Sequence, residues 1–284
     1  MVNALTIDVE DYFHVTAFER SVARDDWDKY SLRVEGNTEK VLDILEKKKI
    51  RATFFILGWV AERCPGLVRE IGRRGHEIAC HGYAHELIYR IGPERFRDDV
   101  RRAKALLEDT SGARVFGYRA PSYSITARSL WALDILVEEG FFYDSSIFPI
   151  SHDIYGIPGG ERFPHEIETQ AGMIREFPMT TFPLRIGWWN PRLPVAGGGY
   201  LRLFPALLVG RAIKYINSHE RQPAVVYFHP WEMDPGQPRI RAGLKSRFRH
   251  YLNLAKMEAK IDYLLEMLRF APIRDIVGPG RDTN

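Results

Sequence analysis

Cysteine is scarce: Cys64 and Cys80 are the only two among 284 residues. Two thiols are too few for a disulfide framework, and their apolar surroundings fit buried free thiols. An excess of one charge is also missing, since 40 Lys and Arg stand against 37 Asp and Glu, a formal net charge of +3. That balance excludes the basic footprint of an obligate nucleic-acid binder. Long apolar runs are absent too. The stretches around Leu130–Tyr143 and Leu203–Ile216 are interrupted by Asp, Glu, Pro, Arg or Lys and fall short of the ~20 apolar residues of a membrane span. The opening MVNALTIDVEDYFHV shows no basic n-region, apolar h-region or small-residue cleavage site, so a cytoplasmic protein with no integral membrane segment is expected. No internal repeat or low-complexity tract is visible.

What is present is an ordinary globular composition, 45% apolar and 27% charged, enough for one large α/β barrel or two smaller domains. Short apolar runs alternate with helical patterns. Ala4–Val9, Ala52–Leu57, His76–Cys80, Val115–Tyr118, Phe141–Asp144 and Ala224–Phe228 read as strands. Thr38–Lys48 (capped by Asn37 or Thr38), Pro65–Arg74, Pro93–Ser111, Ala127–Glu139, Leu203–His219 and Leu244–Leu268 read as helices. This β-α-β-α order argues for a parallel sheet with helices outside it, and one α/β barrel, incomplete or not, accounts for the strands better than two domains. Residues 1–284 are therefore read as a single domain. Residues 151–199, rich in Pro, Gly and aromatics, form an expected insertion of loops and short strands, and residues 239–284 a helical extension.

Chemistry-bearing residues gather where apolar strands end, the place where α/β barrels keep their sites. Asp8-Val9-Glu10-Asp11 follows the first strand, and such crowded carboxylates repel unless a cation or Arg neutralises them. His81 and His85 in HGYAH follow the third strand, and His four apart in a helical turn can share a metal. Arg119 ends the fourth strand and needs an anion, for which the Asp8 cluster is a natural partner. His229 ends the run Ala224–Phe228 and suits a general acid, with Asp144, at another strand end, available to orient it. A carboxylate with two His is a zinc-type ligand set that leaves positions open, and the remaining Asp and His supply a base and an acid. The constellation fits metal-assisted hydrolysis of an amide or ester.

The motifs TIDVED, HGYAH, RAPSY and YFHP, in this order, together with ATFFILG, resemble those of the NodB-like polysaccharide deacetylases, carbohydrate esterase family 4. Among these the chain is most similar to a subgroup of bacterial exopolysaccharide loci associated with the exosortase system. The resemblance spans about Leu5 to Trp231. It implies a distorted (β/α)7 barrel that removes N-acetyl groups from a saccharide, with Asp8 as base, His229 as acid, Arg119 holding Asp8, and His81 and His85 binding a divalent metal, zinc being the expected one. Val9 stands where the family commonly has a second, metal-binding Asp. Glu10, which strand alternation points to the same side as Asp8, is then the first choice for the third ligand, with Asp11 as the alternative. Tyr123 and Trp231, in or beside these motifs, and Asp144, at the end of its strand in FYDSS, are read as substrate-facing. The expected partner is an N-acetylated saccharide, and a homodimer is carried as the expected oligomer. A metal-free cyclic-amide hydrolase and a non-catalytic saccharide-binding module are the rival readings.

Two further features have a functional and a bland reading. Aromatics around Ile186–Asn190 and Tyr200 could stack on sugars, but core of the insertion is the preferred reading. The basic run Arg239–His250 could meet a phosphate on a lipid-linked saccharide or nucleotide sugar, but a solvated helix start is preferred.

Overall fold

The computed structural model describes residues 1–184 and 191–278. Its strands are β1 (Asn3–Val9), β2 (Thr53–Ile56), β3 (Glu77–Cys80), β4 (Gly117–Tyr118), β5 (Tyr143–Asp144), β6 (His165–Thr169), β7 (Gly172–Glu176), β8 (Thr181–Pro183), β9 (Arg192–Pro194), β10 (Val225–Phe228) and β11 (Phe270–Ala271). The main sheet runs β10-β1-β2-β3-β4-β5-β7-β6, with β11 also on β1. From β10 to β7 every neighbouring pair is parallel, and β6 closes a hairpin on β7. These are the strands of the expected distorted (β/α)7 barrel.

No strand pairing joins β6 to β10 among the described residues, so the barrel stays open between them. The free edge of β10 is nonetheless satisfied, as buried backbone groups require. Val225 N donates to Thr180 Oγ1 at 2.6 Å and Tyr227 N to Ala196 O at 3.0 Å. Segment 151–199, expected as an insertion of loops and short strands, thus supplies β6 and β7 to the main sheet and the groups that cover β10.

Alternation sets two interiors. Leu5, Ile7 and Val9 of β1 face the helices, as do Phe54 and Ile56 of β2 and Val226 and Phe228 of β10. Ala4, Phe55, Ala79, Val225 and Tyr227 face inward, where Tyr143, Phe148, Phe177 and Ile273 join them. Cys64 and Cys80 are buried and unpaired, as expected.

Helix Pro93–Ser111 has the expected bounds, while others differ for local reasons. Helix Val34–Lys48 begins before Thr38 because Asp11, far back in the chain, accepts the backbone N–H groups of Arg33 and Val34 at 2.6 and 2.9 Å. The stretch read as Ala127–Glu139 turns helical only at Trp131, since the Ser129 and Thr126 side chains bond nearby backbone and compete with the helix,. Pro205 separates helix Gly198–Leu203 from helix Ala206–Tyr215. The long helix expected over Leu244–Leu268 is two, Leu244–Tyr251 and Met257–Met267. Leu252 is extended and Asn253 left-handed, and the Asn253 amide donates to Arg202 O at 3.0 Å.

Strands β4 and β5 approach so closely that a Cβ at Gly117 would lie 2.0 Å from Cζ of the buried Tyr143 ring. Gly117→Ala should therefore lower unfolding stability by about 1–3 kcal/mol through overpacking, read from the urea midpoint. An unchanged midpoint would show that the Tyr143 ring yields freely.

Candidate active site

Arg119 is fully buried at the end of β4. Such a guanidinium needs an anion and several acceptors. Its Nη1 donates to Asp8 Oδ1 at 2.6 Å and Thr6 Oγ1 at 2.8 Å, both from β1. Its Nε and Nη2 donate to Ser145 O and Oγ just past β5, and its plane lies over the Phe55 ring of β2. One side chain thus ties together the ends of four strands.

The carbonyl of Arg119 performs a second task. His81 Nδ1 lies 2.8 Å from it. A carbonyl only accepts, so Nδ1 carries the proton and Nε2 presents its lone pair to the cavity. Burial pushes the His81 imidazole down to about 4, which keeps it neutral. His85 lies on the same side, with its Nε2 2.9 Å from Glu10 Oε2. The two His do not share the expected helical turn. Gly82 and His85 both take positive φ, +70° and +50°, and the loop between them is held by Asp99, which accepts Tyr83 N at 2.8 Å and Ala84 N at 3.2 Å.

Glu10, His81 and His85 bring one ligand atom each to within 4.8 Å of one another, all three buried. Glu10 Oε2 is buried and has no hydrogen-bond partner. Burial disfavours its charge, but His85 and His229 beside it hold the carboxyl well below the usual range. An orphaned carboxylate oxygen between two imidazole nitrogens is a donor set suited to a divalent cation. The Arg119 carbonyl already provides the outer-shell contact that fixes His81.

Asp11 does not join this group. Its Oδ1 accepts Tyr12 N, its Oδ2 accepts Arg33 N and Val34 N, and its own N–H donates to His14 Nδ1. Burial pushes its carboxyl up to about 6. The alternative of Asp11 as third ligand is thus corrected: this carboxylate works as a helix cap.

His229 sits across the cavity with Nε2 3.4 Å from Glu10 Oε1 and 3.9 Å from Asp8 Oδ2. Asp144 does not orient it. Asp144 lies against Glu176, its register partner on β7, and is pushed up to about 6 by burial. Nor does Asp144 line the cavity. Glu232 takes the orienting position instead: its Oε2 is 3.0 Å from His229 Nδ1 and also accepts His229 N, while Oε1 accepts from Arg202 at 2.5 Å. Burial opposes a charged imidazole, but Glu10 and Glu232 outweigh it and raise His229 to about 9. Glu232 was legible only as the residue three after His229, the spacing of a capping box, which it does form. Arg202 and Asp99 carried no sequence signal.

Asp8, Glu10, His81, His85, Arg202 and His229 open into one cavity of about 460 Å³. Asp8, Glu10, His81 and His85 form its floor with Tyr123, while Trp231, stacked on His229 and His250, forms one wall. Tyr200 lies in the lining; the aromatics at 186–189 fall outside the described residues.

Comparison with known proteins divides the chain. Residues 25–136 match the polysaccharide deacetylase family model, and residues 145–278 match a domain of unknown function (DUF3473). The first match holds His81, His85, Arg119 and Tyr123 and the second His229 and Trp231, while Asp8 and Glu10 precede both. Neither match confirms the subgroup expected from the motifs. A peptidoglycan deacetylase-like protein of Gibberella zeae is 32% identical over 45% of this chain and 37% of its own length. A peptidoglycan-N-acetylglucosamine deacetylase of Bacillus cereus is 32% identical over 34% of this chain and 36% of its own length. The chain thus spans little more than a third of the length of these curated relatives. A crystal structure assigned to a polysaccharide deacetylase of Mycobacterium smegmatis aligns with a TM-score of 0.61 at 21% identity, covering 97% of this chain and 88% of that one. At that identity the likeness establishes the fold.

Asp11→Ala should lower stability by about 1–2 kcal/mol, the cost of a lost helix cap, seen as a reduced urea midpoint with an unchanged m-value. Wild-type stability in this variant would mean that the helix start is held by other contacts.

Proposed function

We propose that this chain is a metal-dependent hydrolase that removes N-acetyl groups from an amino-sugar-containing oligo- or polysaccharide. The observation that carries the reading is the grouping of Glu10, His81 and His85 beside the Asp8–Arg119 pair and His229 in one cavity. The curated relatives that the chain matches in part are named as peptidoglycan deacetylases, which supports an acetamide as the reacting group. A role in bacterial exopolysaccharide synthesis belongs to the same proposal and rests on the order of the motifs alone.

Glu10, His81 and His85 would hold the metal, with zinc the expected ion for one carboxylate and two imidazoles. When bound, the cation supplies Lewis acidity to the acetamide carbonyl and to the attacking water. The chain's own groups do the proton work. Asp8, with one oxygen fixed by Arg119, takes a proton from the water as it attacks the carbonyl carbon. His229, held charged by its carboxylate neighbours, delivers a proton to the amine nitrogen as the C–N bond breaks. Acetate and a free amino sugar result. Glu232, itself fixed by Arg202, keeps the His229 ring aimed. Tyr123 and Trp231 bound the space in which the sugar would sit.

After zinc loading and desalting, the wild type should retain roughly one metal per chain, as a three-ligand site implies, measured by mass spectrometry. His81→Ala, His85→Ala and Glu10→Gln should lose it and Asp11→Ala should keep it. A wild type that holds no metal would overturn the proposal and favour a metal-free hydrolase or a saccharide-binding module.

Asp8→Asn should keep its zinc and release acetate from N-acetylated glycans at least ~100-fold more slowly, the scale of a lost general base. Near-normal turnover would remove Asp8 from the mechanism.

A further inference from the structure

We propose that the cavity mouth carries an anion-binding subsite formed by Lys245 and Arg249 with the exposed ring of Phe248, so that the substrate is an acidic N-acetylated glycan rather than a neutral one. The inference deepens the deacetylase reading and rests on it for the identity of the cavity's occupant.

Helix Leu244–Tyr251 is fixed along one side. His250 is buried, stacked on Trp231 at 4.2 Å and 11°, and its Nε2 lies 2.6 Å from Gln237 Oε1. The Phe18 ring packs against it, and Arg202 donates to its carbonyl. His250 thus anchors the helix in the cavity wall, while Lys245, Arg247, Phe248 and Arg249 stay exposed, as the solvated helix start preferred for the basic run 239–250 expects.

Lys245 and Arg249 are one helical turn apart, so they project side by side. Both line the cavity that holds Asp8, Glu10 and His229. The cavity's other arginine, Arg202, is matched to Glu232, and Arg119 beneath the floor is matched to Asp8. Among the described residues no carboxylate lies within ion-pair distance of Lys245 or Arg249, the two cations of this helix that line the cavity. His152 lines the same cavity, and its Nδ1 lies 2.9 Å from Asp153 Oδ1. Burial lowers His152, Asp153 opposes this, and Arg249 and Lys245 lower it further, so their positive field reaches the mouth.

Phe248 completes the subsite. It lies between the two cations in sequence, lines the same mouth and is 65% exposed. An exposed ring flanked by unmatched cations suits a sugar face bearing a negative group. Such a group could be a uronate carboxylate or a phosphate. At this position it would seat one end of the glycan at the rim while an acetamide reaches the floor.

Calorimetric titration of the zinc-loaded protein separates the cases. Hyaluronan tetrasaccharide supplies carboxylates, tetra-N-acetylchitotetraose is its neutral counterpart, and N-acetylglucosamine 1-phosphate is compared with N-acetylglucosamine. At least one acidic ligand should bind roughly tenfold more tightly than its neutral counterpart at low salt, the scale of two exposed charge contacts. The preference should shrink as salt rises. It should vanish in the double variant Lys245→Ala/Arg249→Ala, which should keep its zinc, and persist in Lys245→Arg. Whichever acidic ligand wins identifies the anion. Equal binding of acidic and neutral ligands, or a preference that survives the double variant, overturns the subsite. Acetate release is assayed separately: selective binding without it would sink the deacetylase reading and leave the subsite, while acetate release without selectivity would do the reverse.

Discussion

The ion pair between Arg119 and Asp8 is the constraint from which the site follows. A guanidinium with no exposure must find an anion and fill its remaining donors, or its burial costs several kcal/mol. The chain satisfies it with Thr6, Asp8 and Ser145, which fixes the ends of β1, β4 and β5 relative to one another. The same residue's carbonyl sets the proton on His81. Charge balance in the barrel interior and the protonated nitrogen of His81 are therefore both set at one buried residue, the first by its side chain and the second by its backbone carbonyl.

Three carboxylates crowd the end of β1, and each is settled differently. Asp8 is neutralised by Arg119, and Asp11 by the N–H groups that open helix Val34–Lys48. Glu10 meets the His85 and His229 imidazoles and the Trp231 indole N–H, and keeps Oε2 without a hydrogen bond. Near-identical side chains within four residues thus become a proton acceptor candidate, a cap and a cation-binding candidate. Direction of projection separates them, since alternation along β1 sends Asp8 and Glu10 to one side.

Much of the barrel was legible, because apolar strands punctuated by amphipathic helices are local patterns. Asp8, His81, Arg119 and His229 were also legible, each standing where such a strand ends. What escaped the sequence depends on distant contacts. Asp11 caps a helix that begins more than twenty residues later, with no local mark of that partnership. Glu232 displaces Asp144 beside His229 because it lies one turn away in the chain, whereas Asp144 is engaged on the far side of the sheet with Glu176. The break at Asn253 escaped because both flanking segments carry a helical apolar pattern, and only the Arg202 carbonyl makes the left-handed residue worthwhile. Segment 151–199 read as an insertion because Pro and Gly obscure the two strands, β6 and β7, that it adds to the sheet.

The pairing of β1 has a consequence for how this chain can be recombined. β1 is hydrogen-bonded to β10 along one edge and to β2 and, nearer its start, β11 along the other, so that it carries strands from the far end of the chain on both sides. The boundary between the two family matches, at residues 136–145, likewise falls beside β5, which pairs with β4 before it and β7 after it. The two matched segments are therefore not interchangeable cassettes. A chimaera joined at that boundary would have to match the register of two inter-segment seams at once, and inherit the floor of the cavity from one parent and its wall from the other.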